Sequence, residues 1–224
     1  MSHSDLSNLG YDRLAKHYRR LEYVLFGNEL QKSRVAMLPS LPSCRSALVL
    51  GDGDGRLLKA LCQSQPECRI TSLDQSARML EIQQQRMQAT EGSERVTYLK
   101  QDARDLRPVA SSLDLLVTPY FLDCFTLDDL TRCIPLWLSG VRHEGWLYVV
   151  DFHQPSQGWQ RLRAKLLLSL MHRFFRWQTN LPNHRLVDLD AVLSAQPMRL
   201  TKQATYSRGL MRAQLYQITR QTGS

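Results

Sequence analysis

The apolar positions between residues 46 and 151 fall into five short runs, which are separated by segments of helical periodicity. Short, nearly continuous apolar runs are typical of strands buried on both faces of a parallel sheet, since crossover helices cover both faces. Alternation of such strands with helical segments predicts a doubly wound α/β fold. The five predicted strands comprise residues 47–50, 69–73, 95–99, 113–118 and 146–150.

Two later segments alternate between apolar and polar residues. Residues 198–206 and 210–219 carry this alternation, and a Ser-Arg-Gly turn at 207–209 lies between them. A β-hairpin is the simplest structure that satisfies the pattern. A dinucleotide-binding fold would instead need a second set of parallel crossovers. The parallel strands are therefore expected to be followed by an antiparallel hairpin.

Apolar residues at intervals of three and four predict two amphipathic helices outside the alternating core. One runs from about Tyr11 to Phe26, and the other spans residues 162–177. We expect the first helix to lie in an N-terminal lid or flank, residues 1–40. Residues 41–224 are then the predicted α/β domain.

A chain of 224 residues with 43% hydrophobic content can bury one substantial core, which suits a single α/β domain. No apolar stretch approaches the roughly 20 residues that a membrane-spanning helix needs, and the first residues lack a secretory pattern, so a cytoplasmic protein is expected. The five cysteines lack CxxC pairing, and the six histidines lack ligand spacing. We expect reduced thiols and no bound metal.

Basic residues are concentrated in the last third of the sequence. Residues 152–224 carry 11 lysines and arginines and two acidic residues, whereas residues 1–151 carry 18 basic and 19 acidic residues. This asymmetry favours an anionic partner, such as an acidic substrate, a phospholipid surface or nucleic acid. A solvated basic face is the alternative.

A glycine-rich loop, Gly51-Asp52-Gly53-Asp54-Gly55, follows the first predicted strand and precedes a helical segment. Alternate glycines allow a tight turn and let a ligand approach the main chain beside a helix N-terminus. Dinucleotide sites read GxGxxG, whereas this loop reads GxGxG, and its aspartates would repel a pyrophosphate. The acidic gaps suit a cationic group such as an ammonium or a sulfonium. The loop therefore favours S-adenosylmethionine over NAD.

Aspartates follow the second and third predicted strands, at the same edge of the sheet as the glycine loop. Asp74 comes about twenty residues after the glycines, where a carboxylate can accept hydrogen bonds from both ribose hydroxyls. The alternative role is a helix N-cap, which Ser76 fills at least as well. Asp102 can accept a hydrogen bond from the exocyclic amine of a base, or cap the segment that follows it.

Four landmarks resemble, in order, those of class I S-adenosylmethionine-dependent methyltransferases: residues 48–55, 74–80, 101–106 and 143–151. The resemblance covers nearly the whole chain. It implies a Rossmann-like methyltransferase domain in which a doubly wound seven-stranded, mainly parallel sheet ends in an antiparallel hairpin, with helices on both faces. Family members often carry an acidic residue two positions before the first glycine. Here that position is Val49, so Asp52 or Asp54 would have to substitute.

The resemblance also assigns the donor site, with S-adenosylmethionine as cofactor. The three glycines of the loop would pack against the methionine part of the cofactor. Asp74 would hold the ribose, and Asp102 with the backbone near Ala103 would frame the adenine. The expected cofactor-binding residues are Gly51, Asp52, Gly53, Asp54, Gly55, Asp74, Gln75, Met79, Asp102, Ala103 and Thr118.

The fourth predicted strand opens into residues 118–125, where donor and acceptor would meet. Methyl transfer needs in-line placement, an apolar cage and sometimes a base, so Asp123 and Tyr120 are the candidate catalytic residues. Residues 11–18 are loosely similar to the segment that opens ubiquinone/menaquinone C-methyltransferases, in which case Tyr11 and Tyr18 would close over the acceptor. The expected acceptor-binding residues are Tyr11, Tyr18, Phe121, His153 and His172.

Together these features predict an enzyme that transfers a methyl group from S-adenosylmethionine to a small or amphiphilic acceptor. The basic segment 159–177 would suit an anionic acceptor or peripheral contact with a membrane. One alternative is a nucleic-acid base N-methyltransferase, because residues 118–121 partly resemble the target-base loop of that group. The other is a cofactor-binding protein without transfer activity.

Overall fold

The computed structural model describes residues 28–153 and 187–219, whose strands form one mixed sheet. The strands are β1 (Ser46–Leu50), β2 (Arg69–Asp74), β3 (Val96–Lys100), β4 (Leu113–Pro119), β5 (Val141–Phe152), β6 (Met198–Tyr206) and β7 (Met211–Ile218). Their order across the sheet is β3-β2-β1-β4-β5-β7-β6. The pairs from β3 to β5 are parallel, whereas β7 runs antiparallel to β5 and β6. The predicted fold is confirmed.

Helices cover both faces of the sheet and create two hydrophobic cores. Alternation along β1 sends Leu48 into one core and Val49 into the other, as the pleat of a strand requires. Trp137 packs in the first core and Leu57 in the second. The α-helices within the described ranges are α1 (Glu29–Val35), α2 (Arg56–Ser64), α3 (Ala77–Met87), α4 (Leu127–Ser139) and α5 (Leu189–Ser194).

The fifth strand is longer than its apolar run predicts. β5 begins at Val141 rather than at residue 146, and its register against β4 shifts between Leu113 and Leu115. The side chains of residues 142–144 are exposed, and Glu144 has a φ of 59°. This irregular, polar start has no apolar alternation, so a search for apolar runs finds only the second half of the strand.

The segment before β1 is bound closely to the sheet. Tyr148 of β5 donates a hydrogen bond from its Oη to the carbonyl of Arg34 (2.7 Å) and accepts one from the amide of Met37 (3.3 Å). Met37 is 1% exposed and belongs to the second core. The division of the chain at residue 40 stays a prediction. The helices predicted for residues 11–26 and 162–177 lie outside the described residues.

No helix within residues 28–153 and 187–219 is long and apolar enough to cross a membrane.

Candidate active site

The glycine loop between β1 and α2 leaves space for a ligand at its centre. Gly51 and Gly53 have φ values of 66° and 62°, a backbone conformation that residues other than glycine rarely adopt. A Cβ atom on Gly53 would meet no atom within 4 Å, whereas one on Gly51 would lie 2.1 Å from the ring of Phe121. Gly53 therefore borders open space, and Gly51 allows the Phe121 ring to lie against the main chain.

Two side chains of helix α3 donate hydrogen bonds to main-chain carbonyls of the glycine loop. Gln83 is fully buried, and its Nε2 donates to the carbonyl of Gly53 (3.0 Å) while its Oε1 accepts from the Ser72 hydroxyl (2.7 Å). Arg86 donates from Nε to the carbonyl of Asp54 (2.6 Å). Sequence reasoning missed both residues, because nothing in the helical pattern marks which polar side chains point inward.

The two aspartates of the loop are occupied by protein groups. Asp52 is 3% exposed and accepts from the amides of Leu57 and Leu58, at 3.4 and 2.7 Å, so it caps α2. Burial raises the pKa of Asp52 to about 7. Asp54 forms ion pairs with Arg56 and Arg86, each at 2.9 Å.

These contacts differ from the expectation that Asp52 and Asp54 would balance the charge of a cationic ligand. The helix amides satisfy Asp52, and two guanidinium groups already neutralise Asp54. These contacts fix the loop conformation, and a counter-charge role for either aspartate stays a prediction. The cofactor affinity of Asp52 and Asp54 variants would test that role.

Asp74 lies at the end of β2 with a half-buried carboxylate. Its Oδ1 accepts from the amide of Ser76 (2.9 Å), and burial raises the pKa of Asp74 to about 6. Ser76 is the N-cap of α3, since its hydroxyl accepts from the amide of Met79. The helix therefore does not need Asp74 as its cap. The ribose role of Asp74, with Gln75 and Met79 beside it, stays a prediction.

Asp102 caps the 3-10 turn Ala103–Asp105 that follows β3. Its Oδ1 accepts from the amide of Arg104 (2.9 Å), and the Arg104 guanidinium pairs with both carboxylate oxygens. Burial acts to raise the pKa of Asp102, but the hydrogen bonds from Arg104 outweigh it and hold the pKa below its usual value. Asp102 therefore acts as the cap of this turn, and its contact with an adenine stays a prediction. Trp137 fixes this turn by donating from Nε1 to the Ala103 carbonyl (2.9 Å).

The loop after β4 sends its two aromatic residues to opposite faces of the sheet. Tyr120, with a φ of 53°, packs towards α1, where its Oη lies 2.5 Å from Oγ of Ser33. Phe121 packs in the first core, with its ring centroid 4.9 Å from that of Phe125. The hydroxyl of Thr118 is buried and has no hydrogen-bond partner among the described residues. The hydrogen bond with Ser33 occupies the Tyr120 hydroxyl, which makes Asp123 the stronger candidate base.

Two carboxylates meet beneath this loop. Asp151, at the end of β5, accepts from the amides of Leu122 (3.0 Å) and Phe152 (2.8 Å) and so anchors the loop. Burial and the neighbouring Asp123 raise the pKa of Asp151. Burial also raises the pKa of Asp123, to about 6. Asp123 and Cys124 keep partly accessible side chains.

Sequence reasoning missed Asp151, although a signal was present. It ends a strand at the same edge of the sheet as Asp74, and that edge is where parallel α/β sheets bind ligands. Asp74, Asp123 and Asp151 all act electrostatically on the Cys124 thiol. The structure therefore brings the ends of β2, β4 and β5 together at one site.

His153 follows β5 and is bound on one side of its ring. Its Nε2 lies 2.6 Å from the guanidinium of Arg212, which also pairs with Asp190 (2.6 Å). Burial, followed by the positive charge of Arg212, lowers the pKa of His153. Nε2 thus accepts from Arg212 and is not available to take a proton from an acceptor. The other expected acceptor residues, Tyr11, Tyr18 and His172, lie outside the described residues.

Part of the chain matches a known protein family model. A family model described as a methyltransferase domain matches residues 47–145, a range that holds the glycine loop, Asp74, Asp102 and Asp123. A search of curated proteins finds no significant sequence match. Among residues 28–153 and 187–219, no group of three or more His, Cys, Asp or Glu side chains has a geometry that could hold a metal ion.

Solved structures with a similar fold include three methyltransferases. The mitomycin 7-O-methyltransferase MmcR is 15% identical, with a TM-score of 0.66 over 93% of this chain and 60% of its own. An O-methyltransferase family 2 protein from Planctomyces limnophilus DSM 3776, in complex with apigenin, is 16% identical. Its TM-score is 0.67, and the match covers 91% of this chain and 61% of that protein. The N-methyltransferase NodS from Bradyrhizobium japonicum WM9 is 15% identical. Its TM-score is 0.59, and the match covers 86% of this chain and 98% of NodS.

These likenesses establish a Rossmann-like methyltransferase fold. This chain spans about three fifths of the length of the first two structures. Together with the family match, the fold supports a methyltransferase and leaves the acceptor open. The looser resemblance to ubiquinone/menaquinone C-methyltransferases gains no support from these matches.

Proposed function

We propose that this chain is an S-adenosylmethionine-dependent methyltransferase that acts on a small-molecule acceptor. The observation that carries the proposal is the open space at Gly53, in a loop whose Gly51 amide donates to the carbonyl of Leu73, the residue before Asp74. Both features lie inside the range that matches a methyltransferase domain.

The residues at the opening fit the chemistry of the donor. The main chain at Gly53 offers an unobstructed surface to the methionine part, close to the N-terminus of α2. The Asp74 carboxylate can accept more hydrogen bonds than the one from the Ser76 amide, and in this proposal it accepts hydrogen bonds from the ribose hydroxyls. Residues Gln75, Met79 and the turn at Asp102 and Ala103 line the adenine end in this proposal. When bound, the donor supplies a methyl group carried on a sulfonium.

Asp123 is the proposed general base. Its pKa of about 6 leaves most of its carboxylate ionised at neutral pH, yet close enough to neutrality to accept a proton from an acceptor hydroxyl or amine. Asp151 fixes the loop that carries Asp123. The rings of Phe121 and Phe125, with Trp137 behind them, make the neighbouring wall apolar and exclude water.

The acceptor is proposed to be a small molecule on the strength of two fold relatives. MmcR is named for mitomycin, and the Planctomyces protein was solved with apigenin. Both are under 25% identical to this chain, so they suggest a class of acceptor rather than a particular compound. An amphiphilic or anionic acceptor, and contact of the basic last third with a membrane, stay predictions.

Turnover on a panel of phenols, amines and thiols tests this assignment. Purified full-length protein is incubated with S-adenosylmethionine and each acceptor, and release of S-adenosylhomocysteine is measured. We expect acceptor-dependent release that falls about 100-fold or more in kcat for Asp123→Asn, because a general base contributes roughly 10²–10⁴-fold. The affinity for the donor should change little.

Asp128→Asn is the matched control, since Asp128 is an exposed acid on α4 and should leave turnover unchanged. Full activity of Asp123→Asn would remove the residue from the mechanism. Tight donor binding without turnover on any acceptor would instead favour a cofactor-binding protein. Steeply salt-dependent binding of RNA or DNA would favour a base methyltransferase.

A further inference from the structure

Two thiols lie in contact at the opposite edge of the sheet from the candidate active site. The Sγ atoms of Cys44 and Cys68 are 3.1 Å apart. Cys44 precedes β1 and Cys68 immediately precedes β2, and both side chains are buried. The amide of Arg69 donates to the carbonyl of Arg45 (2.9 Å), so the two segments are already joined where the parallel pairing starts.

Polar side chains hold both thiol-bearing segments in place. Gln65 accepts from the amide of Cys44 (3.1 Å) and donates from Nε2 to the carbonyl of Pro42 (3.3 Å). Arg95 donates to the carbonyls of Cys68 (2.7 Å) and Gln65 (3.0 Å). Because each segment is fixed by side chains from another element, little conformational freedom has to be lost to bring the sulfurs together.

We propose that Cys44 and Cys68 form a redox modification site, at which a hydroperoxide converts the two thiols into an intramolecular disulfide. The pair stands apart from the other cysteines. Cys62 donates to the carbonyl of Gly92 (3.4 Å), and Cys124 donates to Asp123 (3.6 Å). No other contact between two cysteine sulfurs occurs among the described residues.

The reaction balances with hydrogen peroxide as the oxidant. The Cys44 thiol releases its proton and the thiolate attacks one peroxide oxygen. The O–O bond breaks, a sulfenic acid forms at Cys44, and the other oxygen leaves as hydroxide, which takes the released proton to become water. The Cys68 sulfur then attacks Sγ of Cys44, the S–O bond breaks, and the departing hydroxide takes the Cys68 proton as a second water. Two thiols lose two electrons in total, and one peroxide is reduced to two waters.

The hydrogen bond between the sulfurs sets the order of these steps. The contact between the two sulfurs lowers the pKa of Cys44, and the same contact together with burial raises the pKa of Cys68. The thiolate is the nucleophile in both sulfenic acid formation and disulfide exchange. Cys44 is also the more accessible of the two, at 5% exposure against 0% for Cys68.

The disulfide would close a loop of about 25 residues that contains β1, the glycine loop and α2. Restricting this loop in the unfolded chain raises the melting temperature of the folded one, by about 5 to 10 °C for a loop of this length. The sulfurs lie at the start of β1 and the glycine loop at its end, so the donor site keeps its geometry. The proposal does not depend on the methyltransferase assignment.

Peptide mapping of the oxidised protein tests the proposal. Full-length protein is reduced, freed of reductant, exposed to hydrogen peroxide, blocked with an alkylating reagent under denaturing conditions and digested without reduction. We expect a single cross-linked peptide joining Cys44 to Cys68, and the number of reactive thiols to fall from five to three. The melting temperature should rise by several degrees and return to its starting value with dithiothreitol.

Single variants assign the effect to this pair. Cys44→Ser and Cys68→Ser should each abolish both the cross-link and the temperature shift. Cys62→Ser, in which the hydroxyl can still donate to Gly92, should keep both. Five reactive thiols after oxidation, or a cross-link between any other cysteines, would overturn the proposal. The mapping of the unsubstituted protein decides the matter even where a variant does not fold.

Discussion

At the scale of single residues, Gly51 and Gly53 share a backbone conformation and differ in their surroundings. Both have a φ above 60°, but only the Gly51 position is filled by a neighbouring ring. A substitution at Gly53 therefore reports mainly on a ligand in the opening, and one at Gly51 reports mainly on packing. This difference separates the two functions of the loop experimentally.

Gly53→Ala should cost about 1–2 kcal/mol of folding free energy from backbone strain and weaken donor binding about tenfold or more, because its methyl group occupies the opening. Gly51→Ala should cost more stability, about 2–4 kcal/mol, since its Cβ overlaps the Phe121 ring. Urea denaturation and calorimetric titration measure the two effects. Gly209→Ala, with a φ of 88° in the hairpin turn, controls for strain alone. Unchanged donor affinity in Gly53→Ala would place the ligand elsewhere.

The buried carboxyl of Asp52 makes stability depend on pH in a defined direction. Its pKa in the folded protein is about 7, against a usual 3.8, so the folded state binds the proton more tightly than the unfolded state. Its contribution to stability is therefore largest below pH 4 and is lost as the pH rises towards 7. Between pH 5.5 and 8 this amounts to about 2 kcal/mol at most.

Asp52→Asn removes this titration and should flatten the dependence of the unfolding free energy on pH between 5.5 and 8. Urea denaturation of the two proteins at several pH values gives the comparison. The difference between them isolates Asp52 from opposing groups such as His153, whose pKa is lowered. Parallel pH profiles for the two proteins would show that Asp52 does not titrate in this range.

At the scale of elements, the glycine loop is held by side chains of the following βα unit, β2 and α3. Gln83 joins the Ser72 hydroxyl of β2 to the Gly53 carbonyl, so the strand that ends in Asp74 and the glycine loop move together. Two parts of the candidate donor site are thus linked through one buried amide.

Gln83→Leu should weaken donor binding about tenfold and cost about 1–3 kcal/mol of stability, because it leaves the Ser72 hydroxyl and the Gly53 carbonyl without their partner. Gln84→Leu is the matched control, since Gln84 is exposed on the same helix. Calorimetry on both variants, at a temperature where each is folded, measures the affinity. Equal affinities for the two variants would show that α3 supports the fold without positioning the loop.

At the scale of the whole molecule, the sequence predicts the sheet well because burial on both faces leaves a direct trace in composition. The runs at 47–50 and 69–73 become β1 and β2 with changes of one residue at their ends. The pattern does not predict the first half of β5, because its residues are exposed and irregularly paired.

The site is predicted less completely than the sheet, because side-chain partners come from distant parts of the chain. Gly53 and Asp74 are marked by their positions after strands. The sequence does not reveal that Asp54 is neutralised by Arg86, 32 residues later, or that Asp52 turns towards the α2 amides. Local spacing shows where a carboxylate is available, and the fold decides what it binds.

A calorimetric titration determines whether this protein binds S-adenosylmethionine at the site that contains Asp74. Full-length protein is titrated calorimetrically with S-adenosylmethionine, S-adenosylhomocysteine and NAD, beside Asp74→Ala and the exposed control Glu81→Ala. We predict roughly micromolar binding of the first two ligands, about 10- to 100-fold weaker in Asp74→Ala, and no binding of NAD. Absence of binding by both S-adenosyl compounds, or preference for NAD, would contradict the account.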